Sequence, residues 1–123
     1  MCIFCETIVK KHEILHESEL AITIFDSFPV TKGHILVIPK RHVQSFFELT
    51  NLELNEIQTL LFQAKVKLVE LYSPDSFNVG INDGPAAGQT IPHCHIHLIP
   101  RYSGDTPNPR GGVRSVIPEK KDY

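Results

Sequence analysis

The stretch from Gly88 to Arg101 has the sequence GQTIPHCHIHLIPR, in which three histidines, His93, His95 and His97, stand two residues apart. Alternation with a period of two predicts a β-strand, whose successive side chains point to opposite faces. Residues two apart lie roughly 7 Å from each other on one face. The three imidazoles should therefore share one face of a sheet, and the residues between them should point into the core. Those residues are Cys94, Ile96 and Leu98.

A row of three imidazoles has two chemical interpretations besides that of a plain half-exposed strand. The rings could chelate a metal ion, because strand histidines two residues apart can share one. Alternatively, one ring is a nucleophile and its neighbours hold charge and protons around it. Histidine suits both roles because it titrates near neutral pH and has two distinct nitrogens.

The composition is that of an ordinary globular protein. The 123 residues suit one domain, with 41% hydrophobic and 21% charged residues. The formal net charge of −2 and the lack of a basic run argue against a nucleic-acid polymer as partner. No apolar stretch approaches the roughly 18 residues of a membrane span, and no signal-peptide core follows Met1. We therefore expect a cytoplasmic protein without a membrane partner.

Residues 51–72 form the clearest predicted helix. Thr50 and Glu53 provide a capping box at its start, and Ser73-Pro74 ends the helical pattern. Its apolar stripe should pack on a sheet and consists of Ile57, Leu61, Ala64, Leu68 and Leu71.

Three apolar segments predict further strands, of which the first two should pair antiparallel: residues 20–25, 34–39 and 76–81. Residues 6–19 are polar and mixed, and they contain His12 and His16, which should be exposed. The tail from about 102 to 123 should be irregular.

Three smaller motifs each allow more than one interpretation. Asp26, at the mouth of the first strand, can form a turn or accept hydrogen bonds from a diol. The small residues of 82–90 can turn backbone N–H groups toward a phosphate or merely connect two strands. Cys2 and Cys5 form a C-x-x-C, which alone is a weak signal for redox chemistry, metal binding or neither. Two thiolates at this spacing would supply half of a tetrahedral zinc site.

Four motifs in order make the chain resemble the histidine triad (HIT) family of nucleotide hydrolases and transferases. They are Cys2-Ile3-Phe4-Cys5, the segment from Gly33 to His42, Asn82-Asp83-Gly84 through Gln89-Thr90, and the triad followed by Leu98-Ile99. The match covers most of residues 2–105. The chain looks most like the Hint-type branch and its bacterial relatives. The diadenosine-polyphosphate hydrolase branch (the Fhit type) tends to have Gln where this chain has Asn82.

The resemblance implies an α+β fold for a single HIT domain over residues 1–123. About five antiparallel strands would form one sheet, with one long helix and one or more short helices. Family members commonly join two subunits into a continuous sheet, so the resemblance also implies a homodimer.

The resemblance further implies a mechanism in which His95 attacks the α-phosphorus of a nucleotide and forms a nucleotidyl-histidine. His97 would hold a phosphoryl oxygen, and His34 would support the histidines from the neighbouring strand. Thr90 could touch the leaving group, and the backbone of 84–90 could receive developing charge.

The substrate would be a purine nucleotide: a phosphoramidate, an acyl-nucleotide or a dinucleoside polyphosphate. Asp26 matches the family acid that binds the ribose hydroxyls. Asn82 and Gln89 would contact the substrate, and Ile24 and Phe28 would help to line a base pocket.

Some family members, mostly bacterial, bind zinc through Cys-x-x-Cys. Their four ligands match Cys2, Cys5, His42 and His93, a closed set that implies a structural ion. Cys94 faces the core and should be inert. No paired carboxylates converge near the triad, so the sequence does not predict a magnesium site. No organic cofactor is expected.

Three functional hypotheses remain open at this point. The first is the covalent nucleotide hydrolase or transferase, with diadenosine polyphosphate hydrolysis as a variant. The second is a zinc hydrolase that uses the triad itself as its metal site. The third is a nucleotide-binding protein with negligible turnover.

Overall fold

The computed structural model describes residues 2–11 and 13–123, so the predicted exposure of His12 lies outside the described residues. His16 is half-buried rather than exposed, because its Nδ1 lies 3.3 Å from Oγ1 of Thr23 on the adjacent strand. Within this described part of the chain, two helices and five strands follow one another: α1 (Ile3–Lys10), β1 (Ile14–Glu17), β2 (Ala21–Phe25), β3 (Ile35–Pro39), α2 (Asn51–Tyr72), β4 (Ser76–Gly80) and β5 (Ile96–Arg101).

The strands form one antiparallel sheet in the order β1-β2-β3-β5-β4. This arrangement confirms the expected α+β fold with five strands, one long helix and one short helix. β2 and β3 pair from Ala21 opposite Pro39 to Phe25 opposite Ile35, as expected for consecutive strands joined by a turn. β3 also pairs with β5, where Leu36 lies opposite His97.

α2 covers one face of this sheet, and its capping box is confirmed. Thr50 Oγ1 accepts from the Glu53 backbone N at 3.1 Å, and Glu53 Oε1 accepts from the Thr50 backbone N at 2.9 Å. The predicted stripe is wrong at Leu71, which is 46% exposed because Tyr72 packs against the core at that end instead. Leu61 is half-buried. The buried apolar residues of the helix are Ile57, Leu60, Ala64 and Leu68.

α1, which the polar pattern of residues 6–19 did not reveal, covers the other face. Its Phe4 is buried and belongs to a cluster with Ile22, Ile24, Leu36 and Ile38. Because helices cover both faces, almost every residue of β2 and β3 is buried. This double coverage explains why both strands have nearly continuous apolar sequences instead of an alternating pattern.

The histidine strand begins later than predicted. β5 starts at Ile96, so His93 and His95 lie in the segment before it. The Cys94 backbone N donates to Val43 O at 2.7 Å, so this segment bonds to the chain after β3 rather than to the sheet. The alternation of faces nevertheless holds: Cys94 and Ile96 pack with α2, and the rings of His93 and His95 contact α1.

The tail after β5 has the irregular character expected for it. Its described elements are short 3₁₀ turns at Gly112–Val116 and Pro118–Lys120. Across residues 2–11 and 13–123, no helix has the length and apolar character needed to cross a bilayer.

Candidate active site and metal centre

A cavity of about 420 Å³ opens between α1, the end of β2, the start of β5 and the loop 82–91. Its volume falls within the roughly 300–1,000 Å³ usual for small-molecule pockets. Seven of the predicted site residues line it: Ile24, Asp26, Phe28, Asn82, Thr90, His95 and His97. The structure therefore brings together residues that lie up to about 70 positions apart in the sequence.

The ring of His95 has one nitrogen engaged with the backbone. Its Nδ1 lies 2.9 Å from the carbonyl oxygen of His93, and the side chain is buried. A carbonyl oxygen can only accept, so Nδ1 carries the proton and donates. In the neutral ring Nε2 then retains its lone pair, which a nucleophile requires.

A short chain of hydrogen bonds sets the tautomers of His34 and His97. The Val30 backbone N donates to His34 Nδ1 at 3.0 Å, so a neutral His34 carries its proton on Nε2. That Nε2 lies 2.9 Å from His97 Nδ1, which must accept. His97 consequently carries its proton on Nε2, a buried atom without a hydrogen-bond partner among the described residues. The arrangement leaves an N–H donor without a partner on a residue that lines the cavity.

Burial keeps both of these imidazoles neutral. Burial, with the neighbouring rings of His95 and His34, lowers the pKa of His97 to about 4. Burial also lowers the pKa of His34, although the nearby Asp26 carboxylate opposes that shift. Both rings are uncharged at neutral pH, in agreement with the tautomers that the hydrogen bonds require.

Asp26 forms the turn that its position in the sequence allowed, and it also lies at the cavity. Its Oδ1 accepts from the Phe28 backbone N at 2.9 Å, which is the bond of an Asp turn. Its Oδ2 lies 3.5 Å from His34 Nε2, and the residue lines the cavity.

The loop 82–91 forms the wall of the cavity beside the histidines. Asn82, Gly88 and Thr90 line it. Gln89, for which a substrate contact is predicted, is buried beneath the loop, and its side-chain amide bonds to backbone groups.

Cys2, Cys5, His42 and His93 converge on one point beside the cavity. The two Sγ atoms are 3.2 Å apart, and so are the two Nδ1 atoms. Each Sγ lies between 3.2 and 3.6 Å from each Nδ1. Zinc–sulfur bonds of ~2.3 Å and zinc–nitrogen bonds of ~2.0 Å would place the corners of a tetrahedron about 3.3–3.8 Å apart. The donor set and its spacing fit a zinc ion.

Hydrogen bonds around this cluster orient the atoms that would bind the metal ion. His93 Nε2 donates to the Pro39 carbonyl at 2.7 Å, which leaves the lone pair of Nδ1 directed at the cluster. Cys2 is also the N-cap of α1, because its Sγ accepts from the Cys5 backbone N at 3.3 Å. The cluster thus fastens the beginning of α1 to the segment before β5.

A second group, Asp26, His34 and His97, also has its potential ligand atoms within 4.8 Å of one another. Its geometry favours proton chemistry over metal binding. His34 Nε2 uses its proton to bond His97 Nδ1, so neither nitrogen offers a free lone pair to an ion.

Sequence reasoning missed the contribution of α1 to the cavity. Ile3, Phe4 and Thr7 line it from this helix. The available signal was the spacing of four between Ile3 and Thr7, directly after a cysteine that caps the helix.

Known proteins resemble this chain in fold and sequence. A family described as "HIT domain" matches residues 8–104. The crystal structure of a zinc-bound histidine triad family protein from Mycobacterium smegmatis has a TM-score of 0.78 and 32% identity, covering 87% of this chain and 79% of that one.

Two relatives with named activities also match. The asymmetrical bis(5'-nucleosyl)-tetraphosphatase of Schizosaccharomyces pombe is 36% identical over 93 residues, which is 76% of this chain and 51% of that protein. Adenylylsulfatase HINT3 of Arabidopsis thaliana is 35% identical over 106 residues, 85% of this chain and 54% of that protein. This chain spans about half the length of either relative.

Proposed function

The chain belongs to the HIT family, and on that premise we propose that it is a nucleotide hydrolase or nucleotidyl transferase that works through a covalent nucleotidyl-histidine. The substrate is a purine nucleotide with a leaving group on its α-phosphorus. The products are a nucleoside monophosphate and the released group.

The observation that supports this most directly is the hydrogen bond from His95 Nδ1 to the His93 carbonyl. It leaves the Nε2 lone pair free to attack the α-phosphorus and form a P–N bond. The bond from phosphorus to the leaving nitrogen or oxygen breaks, and its electron pair stays with the leaving group, which takes up a proton. Water then attacks the same phosphorus and gives up a proton to the solvent, the P–N bond breaks, and its electron pair returns to Nε2.

The groups beside His95 suit the charge that develops in these steps. The Nε2–H of His97, which lacks a partner among the described residues, would donate to a phosphoryl oxygen. His34 would hold His97 in the required tautomer. Thr90 would contact the leaving group, and Asn82 would contact the phosphate from the same loop.

The nucleoside would occupy the part of the cavity between β2 and α1. Asp26 would accept hydrogen bonds from the ribose hydroxyls, with Ile24 and Phe28 against the base. Phe28 is 88% exposed, so a base could cover its ring.

We also propose that Cys2, Cys5, His42 and His93 hold a structural zinc ion. Four protein ligands would close the coordination sphere and leave no position for substrate. The ion would supply stabilisation to the N-terminal part of the fold. The similarity to a structure described as zinc-bound supports this assignment.

A homodimer is part of the same proposal. β4 lies at one edge of the sheet, with Val79 about half exposed at 51%. A second copy could extend the sheet from an unpaired edge of this kind.

The relatives and Asn82 indicate which leaving groups are the best candidates. An adenylylsulfatase and a dinucleoside tetraphosphatase both lie near 35% identity. Asn82, where the Fhit type tends to have Gln, favours phosphoramidates as the main substrates. A dinucleoside polyphosphate is the second candidate class.

The test is to mix the protein with adenosine phosphoramidate and, separately, with diadenosine tetraphosphate, and to stop the reaction under non-acidic denaturing conditions. Intact mass should show one added nucleoside monophosphate, and His95→Ala should show none. Turnover without an adduct, lost on metal removal, would favour the triad as a metal site. Tight nucleotide binding without turnover would favour a binding protein.

A further inference from the structure

Asp83 connects the loop 82–91 to the segment that follows β3. Its Oδ1 accepts from the Phe46 backbone N at 2.7 Å, and its Oδ2 accepts from Ser45 Oγ at 3.0 Å. Asp83 is not among the residues that line the cavity, whereas the adjacent Asn82 is. The carboxylate therefore acts on the neighbouring backbone, and its effect on the cavity passes through the loop.

Gln89 makes a second connection between the same two pieces of chain. Its Nε2 donates to Gln44 O at 3.0 Å and to Ile91 O at 3.1 Å, and its Oε1 accepts from the Gly84 backbone N at 2.8 Å. A primary amide has two N–H groups, and both are used here. Gln89 is also buried, at 9% exposure. In this arrangement it has no donor left for a substrate.

The two side chains bracket the residues that face the cavity. Asn82 precedes Asp83 in the sequence, and Gly88 and Thr90 flank Gln89. Asn82, Gly88 and Thr90 line the cavity together with His95. The loop has no strand partner of its own, and Gly88 adopts the left-handed conformation with φ +94°. Such a loop depends on specific hydrogen bonds to keep its shape.

We propose that Asp83 and Gln89 are positioning residues for nucleotidyl transfer. They fasten the loop to residues 44–46 and thereby fix Asn82 and Thr90 relative to His95. The inference rests on the proposed function and assigns Gln89 a role different from the direct substrate contact that the family resemblance suggests. A displacement of about 1 Å in a reacting geometry can lower the rate roughly 100-fold, so such fastening matters for catalysis.

The positioning role requires the two hydrogen bonds of the Asp83 side chain but does not require its negative charge. In Asp83→Asn the side-chain oxygen can still accept from the Phe46 backbone N. The new N–H₂ can donate to Ser45 Oγ, because a hydroxyl accepts as well as donates. An acid–base role would instead be lost with the carboxylate.

The experiment compares Asp83→Ala, Asp83→Asn, Gln89→Ala and the double alanine variant, with adenosine phosphoramidate as substrate. Glu56→Ala is the matched control. Glu56 Oε1 accepts from Ser18 Oγ at 2.6 Å and from the Leu20 backbone N at 2.7 Å, so it fastens a turn in the same way but outside the cavity lining. Thermal unfolding identifies a temperature at which every variant is folded, and Gln89→Met, which keeps the side-chain length without a donor, replaces Gln89→Ala if the latter does not fold.

Each alanine variant of the loop should lower kcat/KM roughly 10- to 100-fold, mainly through kcat. The double variant should resemble the worse single variant, because both changes release the same loop and their effects are not additive. Asp83→Asn should recover most of the loss. Glu56→Ala should leave kcat/KM within about twofold of the wild type, because the turn that Glu56 fastens lines no part of the cavity.

Three results would overturn the positioning roles. Losses that multiply in the double variant would show that Gln89 acts on the substrate by itself. An Asp83→Asn variant as impaired as Asp83→Ala would show that the charge is needed. Loop variants that match Glu56→Ala would show no role in the reaction. A wild-type protein with neither adduct nor turnover would instead overturn the proposed function, and these roles with it.

Discussion

The carbonyl oxygen of His93 accepts Nδ1–H of His95 at 2.9 Å, while Nδ1 of the same His93 lies 3.5 Å from Sγ of both Cys2 and Cys5. One residue therefore joins the cysteine–histidine cluster to the ring of the proposed nucleophile. Its remaining ring nitrogen donates to Pro39, so the ring has little freedom to turn. Because Pro39 also holds this ring, the carbonyl group that orients His95 should keep its place when the cluster is changed.

Removal of the proposed zinc ion should lower the midpoint of thermal unfolding by roughly 10 °C or more, because a metal ion bound only by the folded chain stabilises it. At a temperature where the metal-free protein remains folded, kcat should persist and KM should rise. The reason is that α1, which begins at Cys2 and lines the cavity, loses its fastening. Calorimetry and steady-state kinetics before and after chelation measure both effects.

Cys94→Ala is the matched control for cysteine chemistry. Burial raises the pKa of the Cys94 thiol to about 12, and the residue lies outside the cluster. Its replacement should cost about 1 kcal/mol through lost packing and leave the zinc content unchanged. A kcat that falls in proportion to metal content, with the protein still folded, would contradict a purely structural ion.

His34→Ala should lower kcat about 100-fold, because His97 loses the donor that fixes its tautomer. The neighbouring His34 ring is also one cause of the low pKa of His97, so the acid limb of the pH–kcat profile should move to higher pH. His16→Ala, an imidazole on β1 outside the cavity lining, should change neither quantity. An unchanged pH profile in His34→Ala would contradict the coupling.

The free energy of unfolding should decrease on acidification through His97. Its pKa is lowered from an ordinary 6.5 to about 4, so the unfolded chain binds the proton more readily between these values. The contribution of His97 to the free energy of unfolding is greatest above about pH 6.5. It falls as the pH decreases to about 4 and changes no further below that pH. The loss should reach roughly 3 kcal/mol at most.

Urea unfolding of the wild type and of His97→Gln across this pH range isolates the effect. Glutamine can hydrogen-bond but does not titrate. The metal ligands are the same in both proteins, so their protonation cancels in the difference. A difference between the two proteins that is independent of pH would show that His97 does not titrate in this way.

Glu53→Ala should destabilise the protein by roughly 2–4 kcal/mol. Its buried carboxylate accepts from Arg41 at 2.8 and 3.1 Å and from the Thr50 backbone N at 2.9 Å. Because the Arg41 side chain is 51% exposed, it can return to water, and the loss should fall short of that for a fully buried pair. Glu53→Gln keeps an acceptor for Thr50 and should lose about half as much, measured by urea unfolding. Equal losses in the two variants would show that the cap contributes nothing.

The elements of the fold that follow local rules were predictable. The capping box at Thr50, the helix to Tyr72 and the strands near 21–25, 35–39 and 76–80 agree closely with the prediction. α1 was not predicted, because its eight residues are too few to display a helical period. The start of β5 was misplaced, because a bond between Cys94 and Val43 competes with the sheet.

Within the site, the pattern of residue types was more informative than any single role. The face shared by the histidines and the group Cys2, Cys5, His42 and His93 were both anticipated, the latter through family resemblance. The hydrogen bonds of Gln89 to backbone groups were not anticipated, because they depend on where the folded chain places its three partners.

The sequence by itself determined which faces are apolar, where the long helix begins and ends, and which side chains capable of chemistry share a strand. These properties depend on neighbours within a few residues, through periodicity and capping. Only the tertiary structure decided which nitrogen of each imidazole holds the proton, because the deciding groups are a distant backbone N–H, a carbonyl or another ring. It also decided that α1 covers the histidines, because this contact joins two segments that are far apart in the sequence.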